Sequence, residues 1–400
     1  MTATTPRYPV DLFTDEALQS ATEHYQNLRE LGPIVWLEAH DAYVLPRYAE
    51  VRAALSNAET YCSGQGVALN DLSNSVAAGR NLLMTDGVLH DHLRKVLASG
   101  LTPRALRHVQ EQVDRQAEAL VSRLAAQGEF DAVADLAQAL PLAVVPDLVG
   151  WPAEGREHLL GWAAAAFDLL GPLNERAQAA IPQVQAMQRF AAQIAQDGSM
   201  QPGSVGAGVI EAARTGVIEP DRVAALIIGY LAPSLDTTIS AIASAVWLLA
   251  SHPEQWELLK ADPSLVPNAF NEVVRLESPL RTFSRVTTAE VQIGGVCVPA
   301  GSRVLVHYAS ANRDERQFAG AETFDITRVN AAEHLGFGQG VHGCAGQGLA
   351  RMEGQAVLAA LVRHVDSWTL RDGAVRGLNN IINFWATLPV SVTPQLGVPS

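Results

Sequence analysis

A chain of 400 residues with a formal net charge of −14 is long enough to bury a substantial core, and too acidic for phosphate-backbone binding, which needs clustered Lys and Arg. Its three cysteines, Cys62, Cys297 and Cys344, are odd in number and widely spaced, which argues against a disulfide framework and for a reducing compartment. No CxxC or HExxH spacing offers a zinc site, and no linker, repeat or low-complexity tract divides the chain, so one domain over residues 1–400 is expected.

The opening residues, MTATTPRYPVDLF, show no basic patch followed by an apolar run, so no signal peptide is expected. Residues 45–80 read as short strands and loops punctuated by Gly64, Gly66 and Gly79. Helices dominate from about residue 86 to 275. Thr102-Pro103 starts one, with a capping hydroxyl before a proline in the first turn. Leu106, Val109, Val113, Ala117, Leu120 and Leu124 then recur at helical spacing as far as Gly128. The apolar runs 223–235 and 239–250, broken by Pro233, Asp236, Thr237 and Thr238, are each shorter than the ~20 residues of a membrane helix. Together they read as one long core helix over 220–250, stopped by His252-Pro253. A helix over 268–277 ends ahead of Pro279. Residues 291–293 and 304–306 then look like strands around the Gly294-Gly295 turn. A last helix covers 347–363, and short strands close the chain. The fold class is mainly α with a minor β part, in a cytoplasmic protein without membrane or nucleic-acid partners.

The most informative segment is Phe337-Gly338-Gln339-Gly340-Val341-His342-Gly343-Cys344-Ala345-Gly346. Glycines at 336, 338, 340, 343 and 346 allow positive φ and close approach to a flat ligand. Cys344 lies just before a predicted helix, so a thiolate there faces the positive end of the helix dipole. Phe337 can pack beside a macrocycle. A dinucleotide-binding role for Gly338 and Gly340 fails, because no βαβ context with a following acid is present.

The ten-residue pattern F-G-x-G-x-H-x-C-x-G resembles the haem-binding loop of the cytochrome P-450 family. The resemblance continues through the chain in the family's order. Glu272-Val273-Val274-Arg275 resembles the family's E-x-x-R, whose i,i+3 spacing lets the two side chains pair, and Arg328 would complete a buried ion network with them. His90-Asp91-His92-Leu93-Arg94 resembles H-x-x-x-R, and His90 and Arg94 share a helix face that can grip a haem propionate. Arg285 and His342 resemble two further propionate contacts. Asp236-Thr237, on the apolar helix, resembles the family's acid–alcohol pair that relays protons for dioxygen cleavage. Ala311-Asn312-Arg313-Asp314 resembles a structural segment of the family.

The resemblance implies a single-domain haem-thiolate monooxygenase using O2. Haem (iron protoporphyrin IX) would lie between the long helix and the cysteine loop, with Cys344 as the sulfur ligand to iron and Phe337 and Gly346 beside it. The chain departs from the family at Pro233-Ser234, where Ala-Gly or Gly-Gly is usual. Pro233 is expected to kink the helix, and Ser234 to add a hydroxyl near the iron. Peroxide-driven relatives are the alternative that this departure keeps open, and an incidental cysteine in a ligand carrier is the bland one.

The chain is most similar to bacterial members that oxidise small aromatic compounds. Some of those demethylate methoxybenzoates and hold the carboxylate with arginine and serine at the places that Gln65, Ile228, Gly229 and Ala232 take here. No cation is left to offset a buried carboxylate, so a small neutral aromatic is expected, such as a methoxyphenol or alkylphenol, with a monoterpenoid as the alternative. Gln65 and Ser234 would supply neutral hydrogen bonds. Val67, Leu69, Phe167, Leu170, Leu231, Leu235, Phe283 and Phe384 are the expected wall. Electrons would come from a ferredoxin and its reductase, docking on a locally basic patch that includes Lys95, Arg104 and Arg107. A monomer is expected.

Overall fold

The structure, a computed structural model, describes residues 4–395. Its longest element is the central helix Val223–Ser251. This helix is apolar on nearly every side and packs against the helices Ala139–Val149, Leu159–Asp168, Glu175–Asp197, Val266–Glu277 and Gln347–His364. The stretch Pro220–Ser251 is long and apolar enough to cross a membrane, so the length argument made on its two halves falls once they join. Its burial by five other helices makes it a core element. Ala132–Val149 passes the same length and composition test and is likewise mostly buried.

The helix at Thr102-Pro103 forms as its sequence dictates. It spans Pro103–Gln127, the Thr102 hydroxyl accepts from the Ala105 N–H at 3.2 Å, and Gly128 at φ +80° ends it. Leu106, Val113, Ala117, Val121 and Leu124 are buried on one stripe, and the helix packs chiefly against Gln347–His364.

The minor β part centres on a six-stranded sheet in the order Arg7–Tyr8, Val35–Leu37, Ala42–Leu45, Arg303–Val306, Phe283–Thr287, Tyr61–Cys62. Two expectations need correction. The Gly294-Gly295 turn joins Val291–Ile293 to Val296–Val298, while the 304–306 strand belongs to the large sheet between Ala42–Leu45 and Phe283–Thr287. Residues 45–80 also contain two helices, Tyr48–Ser56 and Asp71–Ala77. The first is anchored from outside: its Tyr48 N–H donates to Asp314 Oδ2 at 2.9 Å.

A fully buried ion network fixes the C-terminal half. Arg275 donates to Glu272 in bidentate fashion, Nε to Oε2 at 2.7 Å and Nη2 to Oε1 at 2.8 Å. Arg328 Nε adds a bond to Glu272 Oε1 at 3.0 Å. The second face of Arg275 donates to the carbonyls of Asn312 and Ala321, both at 2.8 Å. Asn312 in turn donates to Ser278 Oγ at 2.9 Å and accepts from the Leu335 N–H at 2.7 Å. Arg275→Ala is expected to lower unfolding stability by about 3–5 kcal/mol, because Glu272 keeps a buried charge with one partner fewer. Urea denaturation measures it; a loss under 1 kcal/mol would mean the network is not the brace described.

Candidate active site

The cysteine loop is shaped by two glycines at positive φ, Gly338 and Gly340, both +70°. The Cys344 N–H donates to the Phe337 carbonyl at 2.7 Å, closing the loop on itself. A Cβ on Gly340 would stand 2.5 Å from the Leu55 carbonyl oxygen. That glycine is therefore required by the neighbouring helix as well as by the loop. Gly346 is the N-cap of the helix Gln347–His364, so the cysteine sits just ahead of a helix N-terminus as its sequence position implied. Cys344 is exposed. Desolvation by surrounding protein pushes its free thiol up, while the N–H groups of Gly346 and Gln347 and the cations Arg94 and Arg351 favour the thiolate. Phe337 is clamped by the Arg351 guanidinium, 4.4 Å from the ring centre. Arg351 carried no sequence signal.

His90 and Arg94 lie on the helix Gly87–Ala98. His90 is 1% exposed and its Nε2 has no hydrogen-bond partner. Its ring lies 4.3 Å from that of His342. Arg285, on the strand Phe283–Thr287, is 3% exposed, and its Nη1 donates to the Ser284 carbonyl. Neither Arg94 nor Arg285 forms an ion pair among the described residues. Two cations without a paired carboxylate, Arg285 buried and Arg94 half-buried, together with the orphaned buried nitrogen of His90, suit a dianionic group, since a buried charge is costly without a counter-charge. The donor set thus fits haem, whose two carboxylates would take these groups and whose iron would take the sulfur.

The central helix presents Gly229, Pro233, Asp236 and Thr237 on one side, the first two exposed and the others half-buried. The helix runs on through Pro233 without a break in its assignment. Pro233 has no N–H for the Gly229 carbonyl. The Ser234 hydroxyl is turned back onto the Tyr230 carbonyl at 2.6 Å, and the Thr237 hydroxyl onto the Pro233 carbonyl at 2.7 Å. Asp236 has its carboxyl pushed up to about 7 by burial, with the Asp168 carboxylate adding to the effect and no cation opposing it.

Of the expected wall, Phe167, Leu170, Phe283 and Phe384 come together in one apolar cluster with Ile381, Ile382 and Leu280. The two isoleucines were not foreseen; they lie in a C-terminal loop without periodicity. Val67 is fully buried behind the strand, its carbonyl accepting from the Ser284 N–H at 2.9 Å, and the Leu69 N–H donates to the Leu170 carbonyl at 2.9 Å. Leu231 and Leu235 are placed otherwise. They are 1% and 0% exposed and pack in the main helical core, about 200° around the helix from Pro233 and Thr237. Gln65 is exposed.

A family profile described as Cytochrome P450 matches residues 261–375. The chain is 39% identical to cytochrome p450 CYP199A2 of Rhodopseudomonas palustris over 97% of this chain and 95% of that protein. It is 30% identical to 6-deoxyerythronolide B hydroxylase of Saccharopolyspora erythraea over 84% and 86% of the two chains. Among solved structures, P450BioI in complex with hexadec-9Z-enoic acid ligated acyl carrier protein superposes with a TM-score of 0.84 at 26% identity, covering 94% of this chain and all of that one. Cytochrome P450 CREJ in complex with (4-ethylphenyl) dihydrogen phosphate gives a TM-score of 0.83 at 25% identity, over 96% and 99%. The chain belongs to the cytochrome P450 family. It is a monooxygenase, and its cofactor is haem.

Two outcomes follow from this geometry. Cys344→Ser is expected to abolish the thiolate signature in the carbon monoxide difference spectrum while the fold persists by circular dichroism; an unchanged spectrum would remove Cys344 as ligand. For Asp236, the sign follows from its raised value. The unfolded carboxyl ionises near 3.9, so between there and about 7 the folded protein binds the extra proton and stability falls as pH rises. Asp236→Asn is expected to flatten that fall, gaining more in Tm at pH 8 than at pH 5; equal gains at both would refute it.

Proposed function

We propose that this monooxygenase inserts one atom of O2 into a small neutral aromatic compound, by hydroxylation or O-demethylation of a methoxyphenol or alkylphenol. The observation that carries this is the cluster of Phe167, Leu170, Leu280, Phe283, Ile381, Ile382 and Phe384, apolar throughout. The arginine embedded beside it, Arg281, spends Nη1 on the backbone carbonyls of Asn379 and Ile382, at 2.9 and 2.5 Å. Its Nη2 reaches Asn383 Oδ1 at 3.4 Å, and its buried Nε is left without a hydrogen-bond partner. On the central helix, Ile228 and Gly229 bring no charge. The resemblance to a P450 crystallised with an alkylphenyl phosphate supports an aromatic ligand of this size.

Haem held by a thiolate supplies the activation of dioxygen. The protein's part is fourfold. Cys344 provides the sulfur. His90, Arg94, Arg285 and His342 would hold the cofactor's carboxylates, and Phe337 and Gly346 would lie beside the sulfur. The apolar cluster excludes water from the substrate. Asp236, holding its proton near neutrality, and Thr237, whose oxygen keeps its lone pairs free while its O–H is given to Pro233, pass protons to the reacting centre. The Ser234 oxygen, its hydrogen likewise engaged, can accept from a phenol hydroxyl.

Electrons come, on this reading, from a ferredoxin and its reductase. Lys95, Arg104 and Arg107 are exposed, and Arg52 and Arg351, with Glu333 as the one acid, line a surface hollow of about 470 Å³ formed by the cysteine loop. Against a chain of net charge −14, such a local basic rim is what would guide an acidic partner. A monomeric cytoplasmic protein, one domain over 1–400, completes the proposal.

Titration of the ferric protein with a 4-alkyl-2-methoxyphenol and with 4-methoxybenzoate, followed through the haem absorption band, tests the substrate class. The phenol is expected to shift the band toward high spin and the benzoate to leave it unmoved. A shift with the benzoate would overturn the neutral pocket.

A further inference from the structure

Asp86 immediately precedes the helix Gly87–Ala98, where a carboxylate would normally cap the first turn. It makes no such capping bond. Its Oδ1 accepts from His342 Nε2 at 2.9 Å, and its Oδ2 accepts from Cys62 Sγ at 2.9 Å and from the Gly64 N–H at 2.5 Å. A Cβ on Gly64 would lie 2.9 Å from Oδ2, so the close approach of this carboxylate is built into the backbone. Three segments therefore meet on one side chain: the strand Tyr61–Cys62, the helix that carries His90 and Arg94, and the cysteine loop. The strand places Cys62 opposite Val286, next to Arg285.

A carboxylate can only accept, so His342 Nε2 carries the hydrogen in this contact, and Nδ1 is the ring nitrogen left for another partner. His90, whose ring lies tilted against the same one, has its buried Nε2 unpartnered. His342 is thus held from behind with Nδ1 to spare, beside a His90 whose Nε2 is free. We propose that Asp86 is a positioning residue for the haem: by fixing His342 through Nε2, it aims the ring at a propionate and tightens cofactor retention. The inference rests on the haem-thiolate assignment of the preceding subsections and adds to it a residue that touches neither iron nor substrate. Partners of this outer kind are commonly worth about 10–100-fold in affinity.

The test uses the holoenzyme. Haem transfer to excess apomyoglobin is timed for the parent, Asp86→Ala, His342→Gln, the double variant and Cys62→Ala, and the haem propionate bending band is recorded by resonance Raman. Asp86→Ala and His342→Gln are each expected to lose haem about tenfold faster, the double variant no faster than either, and the propionate band to move in all three. Cys62→Ala, which leaves the Asp86–His342 bond in place, is expected to match the parent on both readouts. Asp86→Asn keeps the size and an acceptor for Gly64, so it stands in should the alanine variant not fold, and it too is expected to move the band. Haem bound normally with an unmoved band in the Asp86 variants would overturn the proposal, as would additive effects in the double variant. A parent protein that binds no haem is a separate result and overturns the assignment beneath it.

Discussion

The buried bidentate pair between Arg275 and Glu272, joined by Arg328, is the constraint on which the site depends. It is an expensive device, since two guanidiniums and a carboxylate leave water together. What it secures is position. Arg275 holds the carbonyls of Asn312 and Ala321, Asn312 holds the N–H of Leu335, and Leu335 accepts from the Gly338 N–H at the start of the cysteine loop. A chain of hydrogen bonds thus leads from the interior of one helix to the loop that bears the sulfur.

Around that loop the protein keeps opposite accounts of charge on two sides. On the helix Gly87–Ala98 it leaves a buried imidazole nitrogen unsatisfied, and on the strand Phe283–Thr287 a buried arginine without a carboxylate partner, which suits an anionic edge. On the central helix it does the reverse, placing Asp236 where burial disfavours its charged form. One side is prepared to receive negative charge and the other to give up a proton. The same low-dielectric interior makes both arrangements effective.

Much of this was legible in the sequence because it is written in short-range patterns. The Thr102-Pro103 cap, the helical stripe from Leu106 to Leu124 and the Cys344 loop each depend on neighbours within a few residues. What escaped depends on distant partners. The helix Tyr48–Ser56 begins where Asp314 caps it from 266 residues away. The strand at 304–306 was paired with the wrong turn because sheet order is set by non-local contacts. Asp86 carries no signal in the sequence beyond its place ahead of a helix, and only the fold shows its carboxylate turned toward His342 and Cys62. An apolar run has no visible facing, and a helix apolar all round turns most of its leucines, Leu231 and Leu235 among them, to other helices rather than to a pocket.

The brace at Glu272 also has a kinetic meaning. Its partners lie between residues 272 and 335, so the links it makes are short in sequence, and a short loop costs little entropy to close. That stretch is closed by links short in sequence, whereas Asp86, just ahead of the helix Gly87–Ala98, reaches the cysteine loop at His342 from 256 residues away. The cysteine loop is thus the place where a locally closed part of the chain meets one that only long-range contacts bring to it.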